Sequence, residues 1–131
     1  MTALSLGFDL GGTNIRTAVG TVGPEGARFS GRDERHTPQT GAADVIAAMA
    51  ASARAALDEA GAKASDLEAV GCSAPGPLDH RTGIVHTTQN IAGFQDVHLA
   101  ERLAAAIGVD TVALDRDTVM AAIGEALAGA A

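Results

Sequence analysis

Tryptophan and tyrosine are absent from the chain, and its aromatic residues are three phenylalanines. Few platforms therefore exist for stacking bases or sugars, and the abundant alanine points to helices packed closely on a sheet. Cysteine occurs once, at Cys72. That excludes an internal disulfide, and the surrounding apolar run marks an inert core thiol in a reducing compartment. Lysine and arginine number 9 against 16 acidic residues, a formal net charge of -7, and they form no cluster, which argues against a nucleic-acid or anionic membrane surface. No apolar stretch approaches the roughly twenty residues of a membrane span, and no basic segment with an apolar core opens the chain, so a soluble, cytoplasmic protein is expected. The four histidines, His36, His80, His86 and His98, lack metal-ligand spacing, and no metal held by protein ligands alone is expected.

What is present fits one domain of 131 residues, long enough to bury roughly two thirds of its unfolded surface. Strands are expected near 3–9 and 14–22, then a turn at Gly23-Pro24-Glu25-Gly26 and a third strand near 27–37. Alternating Arg28, Arg32, Glu34 and His36 mark that third strand as a sheet edge. From Ala42 to Ala60 the residues Val45, Ile46, Met49, Ala53, Ala56 and Leu57 recur at helical spacing, with Gly61 as the stop. Residues 67–74 read as a buried central strand ending at Pro75-Gly76-Pro77, where open α/β sheets present ligands. A hairpin turn over 79–83, a short strand at Ile84-Val85-His86 and a polar loop around Asn90 follow. Asp96 is expected to cap a helix running to about Ile107 with Gly108 as terminator. A short buried strand at 111–114 then leads to a last helix carrying the stripe Val119, Met120, Ile123 and Leu127.

The chemistry concentrates at residues 6–16, where an acid and two glycines sit in the tip of a strand hairpin. Gly11-Gly12 lets the backbone take positive φ and approach a ligand without a Cβ in the way. Thr13 and Asn14 add polar groups and N–H donors, and Arg16 lies just beyond, a combination suited to phosphate. Asp9 would repel a phosphate unless a cation lay between them, which suits an outer contact of a Mg-nucleotide; the plainer alternative is a glycine turn with Asp9 as a turn residue. Asp117 falls at a strand-to-helix junction. It can simply cap that helix, and from the mouth of the sheet it can also take the proton of a hydroxyl attacking a γ-phosphoryl group.

Asp9-x-Gly11-Gly12-Thr13-x-x-Arg16 resembles the first phosphate-binding hairpin of sugar kinases in the actin, Hsp70 and hexokinase superfamily, most closely the ROK family. Further along come Ala74-Pro75-Gly76-Pro77, Thr82-Gly83-x-Val85, Asn90-x-x-Gly93-x-x-Asp96-Val97-x-Leu99, and Asp117 with Gly124-Glu125, in the order of the N-terminal lobe of a ROK glucokinase, N-acetylhexosamine kinase or fructokinase. The resemblance spans essentially the whole chain, 1–131, as a single lobe without its C-terminal partner. It implies an α/β, ribonuclease H-like domain: a five-stranded mixed sheet with helices on both faces, three antiparallel strands preceding parallel ones. It further implies transfer of the γ-phosphoryl group of Mg-ATP to a hexose or N-acetylhexosamine. Asp117 would be the catalytic base. Asp9, Gly11, Gly12, Thr13, Asn14 and Arg16 would serve the nucleotide, Asp9 meeting magnesium indirectly. Gly76, Asn90, Arg116 and Asp117 would line the sugar pocket.

The chain departs from the family pattern at Asp115-Arg116-Asp117, where members usually have Glu-Asn-Asp with the asparagine on a sugar hydroxyl, and at Val119, where an asparagine is usual. Family members also continue through a second lobe holding the adenosine site, further sugar ligands and a zinc site. The expectation is an incomplete cleft, inactive alone, whose partner is that lobe or a second copy meeting it through the last helix. The alternatives are a non-catalytic fragment, or a sugar-sensing domain related to ROK repressors. Those repressors usually place a winged helix-turn-helix before this lobe, where the present chain begins its first strand at about Ala3.

Overall fold

A computed structural model describes residues 4–23, 26–74, 78–79, 81–87 and 91–114. Strands β1 (Leu4–Leu10), β2 (Asn14–Gly23) and β3 (Gly26–His36) form an antiparallel meander, and α1 (Ala42–Ala60) follows. After a short 3-10 turn at Ala64–Asp66 come β4 (Leu67–Ser73), β5 (Leu78–Asp79), β6 (Ile84–Thr87), β7 (Gln95–Val97), α2 (Leu99–Ile107) and β8 (Ala113–Leu114). The main sheet is ordered β3-β2-β1-β4-β8, with β4 parallel to β1 and β8 parallel to β4; β5-β6-β7 make a small antiparallel sheet. This is the expected five-stranded mixed sheet, with the charged third strand at its edge.

One hydrogen bond fixes which way the sheet faces. Ser52, midway along α1, lies 2.7 Å from Thr17 Oγ1 on β2, so Thr17 points toward the helix. Cross-strand partners share a face, and Thr17 pairs with Phe8, Phe8 with Cys72 and Cys72 with Leu114. The same alternation brings Leu6, Leu10, Ile15, Val19 and Val70 to that face, all buried against Val45, Met49, Ala53 and Ala56 of α1. Burying each large aliphatic or aromatic side chain contributes about 1.5–3 kcal/mol. Leu99 and Leu103 of α2 extend the same core, and α2 packs against α1. Asp9, Arg16 and Ser73 fall on the opposite face by the same alternation.

The helix ends follow the chain's glycines. Gly61 takes the left-handed conformation at φ 68, and its N–H and that of Ala62 bond to the last carbonyls of α1. Gly108 ends α2 in the same way, at φ 80. The start of α2 differs from expectation. Its N-cap is His98 without a side-chain cap bond, while Asp96 lies in β7 at φ 48 with its carboxylate 3.1 Å from His86 Nδ1 on the neighbouring strand. The last helix, with Val119, Met120, Ile123 and Leu127, lies outside the described residues. Among the described residues, no helix is long and apolar enough to cross a membrane.

Candidate nucleotide-binding hairpin

The β1–β2 hairpin closes over Gly11, Gly12 and Thr13, with the Gly11 N–H donating to the Asn14 carbonyl at 2.9 Å. Neither glycine takes the positive φ that the pair allows. At position 11 the lack of a side chain leaves room for the turn, since a Cβ there would make a tight contact, 3.1 Å, with the Asn14 carbonyl oxygen.

Every tip carbonyl is engaged from one side by the segment joining β3 to α1. Thr37 Oγ1 donates to the Gly11 carbonyl at 2.8 Å, Gln39 Nε2 to that of Gly12 at 2.8 Å, and the Thr37 N–H to that of Thr13 at 2.8 Å. A trans peptide aims its C=O and N–H in opposite directions. The Gly12 and Thr13 N–H groups, which belong to the peptides whose carbonyls Thr37 and Gln39 hold, therefore point away from that segment. Neither N–H is hydrogen-bonded among the described residues. A donor on each carbonyl also polarises its peptide and strengthens the N–H on the far side. The tip is thus a pair of oriented backbone donors, a concavity for anions.

Asp9 stands one residue before the end of β1, in register with Arg16 on one side and Ser73 on the other. Its carboxylate makes no hydrogen bond or ion pair among the described residues, which leaves it available to a cation. Arg16 is engaged: its Nε donates to Glu34 Oε2 of β3 at 2.7 Å, in a half-exposed pair bracing the hairpin's second strand. Thr13 is exposed, and Asn14 is half-buried. Free N–H donors at the tip, with an unpaired carboxylate three residues before the first of them in the chain, fit a phosphate carrying a divalent cation. Cys72 is buried on the core face, where desolvation pushes its thiol well above the ordinary value and the Asp9 carboxylate adds to the rise, so it is an inert thiol rather than a nucleophile.

The other expected site residues, Gly76, Asn90, Arg116 and Asp117, lie outside the described residues. The strands that lead to two of these segments are placed. β1, β4 and β8 are mutually parallel, so Ser73, Leu114 and the hairpin tip stand at one end of the sheet, the end where open α/β sheets present ligands. Thr37 and Gln39 were not among the residues expected at the site. Their partners lie 26 and 27 residues back, and a polar residue after a strand carries no local signal of such a contact.

An antiparallel meander continued by parallel strands in one mixed sheet is the fold of the actin and hexokinase type. The ROK family profile matches residues 5–131, and the chain belongs to the ROK family. Among solved structures it is similar to a ROK hexokinase from Thermus thermophilus, with 36% identity and a TM-score of 0.74, over 86% of this chain and 34% of that one. It is also similar to a ROK family glucokinase from Streptomyces griseus in complex with glucose and AMPPNP, with 28% identity and a TM-score of 0.71, over 86% of this chain and 33% of that one. A ROK family transcriptional regulator, a homolog of the E. coli MLC protein, shares the fold at 18% identity and a TM-score of 0.67, over 88% of this chain and 28% of that one. The chain thus spans about a third of the length of these structures. No curated protein matches it.

Proposed function

We propose that the chain is the N-terminal lobe of a cytoplasmic, ATP-dependent hexose kinase, which transfers the γ-phosphoryl group of Mg-ATP to a sugar hydroxyl. The observation that carries this reading is the hairpin tip, whose carbonyls are all held from behind while the Gly12 and Thr13 N–H groups point away from that segment, at the end of the strand that carries Asp9. The Streptomyces griseus relative, which holds glucose and AMPPNP, supports the ligand classes. When bound, Mg-ATP supplies the transferable phosphoryl group and a cation that offsets its charge. The Gly12 and Thr13 amides bind phosphate oxygens, Asp9 faces the cation, and Arg16, braced by Glu34, adds positive charge beside them. Asn90 and the backbone at Gly76 orient the sugar. Asp117 accepts the proton of the attacking hydroxyl. Arg116, longer and charged where family members usually carry asparagine, sets which sugars fit.

Calorimetric titration with Mg-AMPPNP, glucose and N-acetylglucosamine tests the reading. Binding of nucleotide and of at least one sugar is expected, the former weakened by Asp9→Asn. Sugar binding with no nucleotide binding would replace the kinase with a sugar sensor, and binding of neither ligand would refute both.

A further inference from the structure

The segment that backs the hairpin tip also reaches a second loop. Both ends of the Gln39 side-chain amide are engaged: Nε2 donates to the Gly12 carbonyl at 2.8 Å, and Oε1 accepts the Ala92 N–H at 3.1 Å. One exposed side chain therefore joins positions 27 residues behind it and 53 residues ahead. Among the described residues, no other side chain hydrogen-bonds to both loops. The turn containing Ala92 is seated on the same segment by an independent contact. Gly93, at φ 77, approaches so closely that a Cβ there would lie 3.0 Å from Gly41 Cα. Ile91 and Phe94, 1% and 3% exposed, anchor the two ends of the turn in the core.

The two loops have different tasks under the kinase reading. Gly12 and Thr13 belong to the nucleotide side, and Ala92 follows Asn90, a sugar-side residue, by two positions. We propose that Gln39 is a positioning residue that ties the phosphate-binding tip to the sugar-side turn, so that occupation of one subsite is felt at the other. The proposal rests on the kinase reading for the identity of the ligands. The physical route is short. Phosphate accepting from the Thr13 N–H polarises the Gly12–Thr13 peptide and strengthens its carbonyl as an acceptor for Nε2. Any shift of that end of the planar, rigid amide moves Oε1 and with it the Ala92 N–H. Because Gln39 is exposed and buries little apolar surface, its replacement leaves the core intact.

Two variants separate the halves of the tie. Gln39→Leu keeps the approximate shape and loses both bonds. Gln39→Glu keeps an acceptor for Ala92 and loses the donor to Gly12. The first readout is hydrogen exchange of the Ala92 amide in the free chain: Gln39→Leu should speed it roughly fivefold to tenfold, the worth of one net hydrogen bond, and Gln39→Glu should not. The second is the ratio of glucose dissociation constants without and with saturating Mg-AMPPNP. Wild type should show a ratio clearly different from one, and both variants should bring it to about one, with melting temperatures lowered by only a few degrees. Unaltered Ala92 exchange in Gln39→Leu overturns the tie, and an unaltered ligand ratio in both variants overturns the transmission. If wild type binds neither ligand, the kinase reading fails and transmission fails with it, while the exchange experiment still decides the tie on its own.

Discussion

The Thr37 hydroxyl donates to the Gly11 carbonyl at 2.8 Å, joining the first residue after β3 to the first residue of the hairpin tip. That bond, with the Thr37 N–H on the Thr13 carbonyl, makes one buried threonine the backing of the hairpin-tip peptides. Thr37→Val keeps the shape and removes the hydroxyl, leaving the Gly11 carbonyl short of a donor. A loss of about 1 to 3 kcal/mol in unfolding free energy is expected. Mg-nucleotide affinity should fall further than this destabilisation explains, because the Gly12 N–H loses its polarising partner. Chemical denaturation and titration at a temperature where both proteins are folded would check this, and unchanged nucleotide affinity would show that the backing is only structural.

Asp9 is expected to act through a cation. Asp9→Asn should lower affinity for AMPPNP with magnesium while leaving it equal or improved with EDTA, since a neutral amide no longer repels bare phosphate. Titrations with and without magnesium give the answer. Equal losses in both conditions would mean that the carboxylate supports the hairpin rather than the metal.

A polar contact inside the sheet–helix interface makes stability depend on acid. Asp33 Oδ2 accepts from Arg35 Nε at 2.7 Å and from Ser52 Oγ at 2.7 Å. Its pKa is held below the ordinary carboxylate value by the Arg35 hydrogen bond first and the Ser52 bond as well, against the opposing effect of burial. A depressed carboxylate stabilises the fold fully above its unfolded pKa of about 3.9, and that stabilisation is lost as pH falls through the lower folded value. Wild type should therefore exceed Asp33→Asn in stability near neutral pH, and the gap should close between about pH 5 and pH 2. Urea midpoints measured across that range test it; a gap that is constant with pH would remove the charge from the explanation.

Gly31 of β3 is where the sheet edge meets α1 most closely. A Cβ there would fall 1.9 Å from the Ala56 carbonyl oxygen, which is helix backbone and cannot turn aside. Gly31→Ala should force α1 off the edge strand at a cost of about 1 to 3 kcal/mol or more. The melting temperature reads this directly, and a value within error of wild type would mean that helix and strand separate easily.

Legibility in the sequence followed the range of the interactions. The helix Ala42–Ala60 and its stop at Gly61 were readable because an apolar stripe and a left-handed C-cap are local signals. The edge position of β3 was readable from its alternating charges, and the mixed order of the sheet from family resemblance. The use made of Gly11 was not. Whether a glycine supplies positive φ or only missing bulk depends on how the turn closes, here through the Asn14 carbonyl. Asp96 carries the residue type of a cap, yet the tertiary placement of β6 and β7 sets it opposite His86 instead. The contacts of Thr37 and Gln39 span 26 to 53 residues, and nothing near them in the chain announces their partners.

The final prediction concerns turnover. The 131-residue chain by itself should fold and yet phosphorylate no sugar at a useful rate. Phosphoryl transfer depends mainly on positioning and on electrostatic stabilisation in a site that excludes water, and a general base, the role proposed for Asp117, contributes only about 10²- to 10⁴-fold. Holding hydroxyl and phosphate in line is worth roughly 7 to 11 kcal/mol and requires groups on both sides of the reacting atoms. The chain spans about a third of the kinases it resembles, so most of the surface that could enclose those atoms in the relatives belongs to the remainder of their length. An ADP-release assay with glucose, N-acetylglucosamine, N-acetylmannosamine and fructose measures this. A rate of about 1 per second or above, typical of kinases, abolished by Asp117→Asn, would show that this lobe alone is sufficient and that closure by a second lobe is not where the rate comes from.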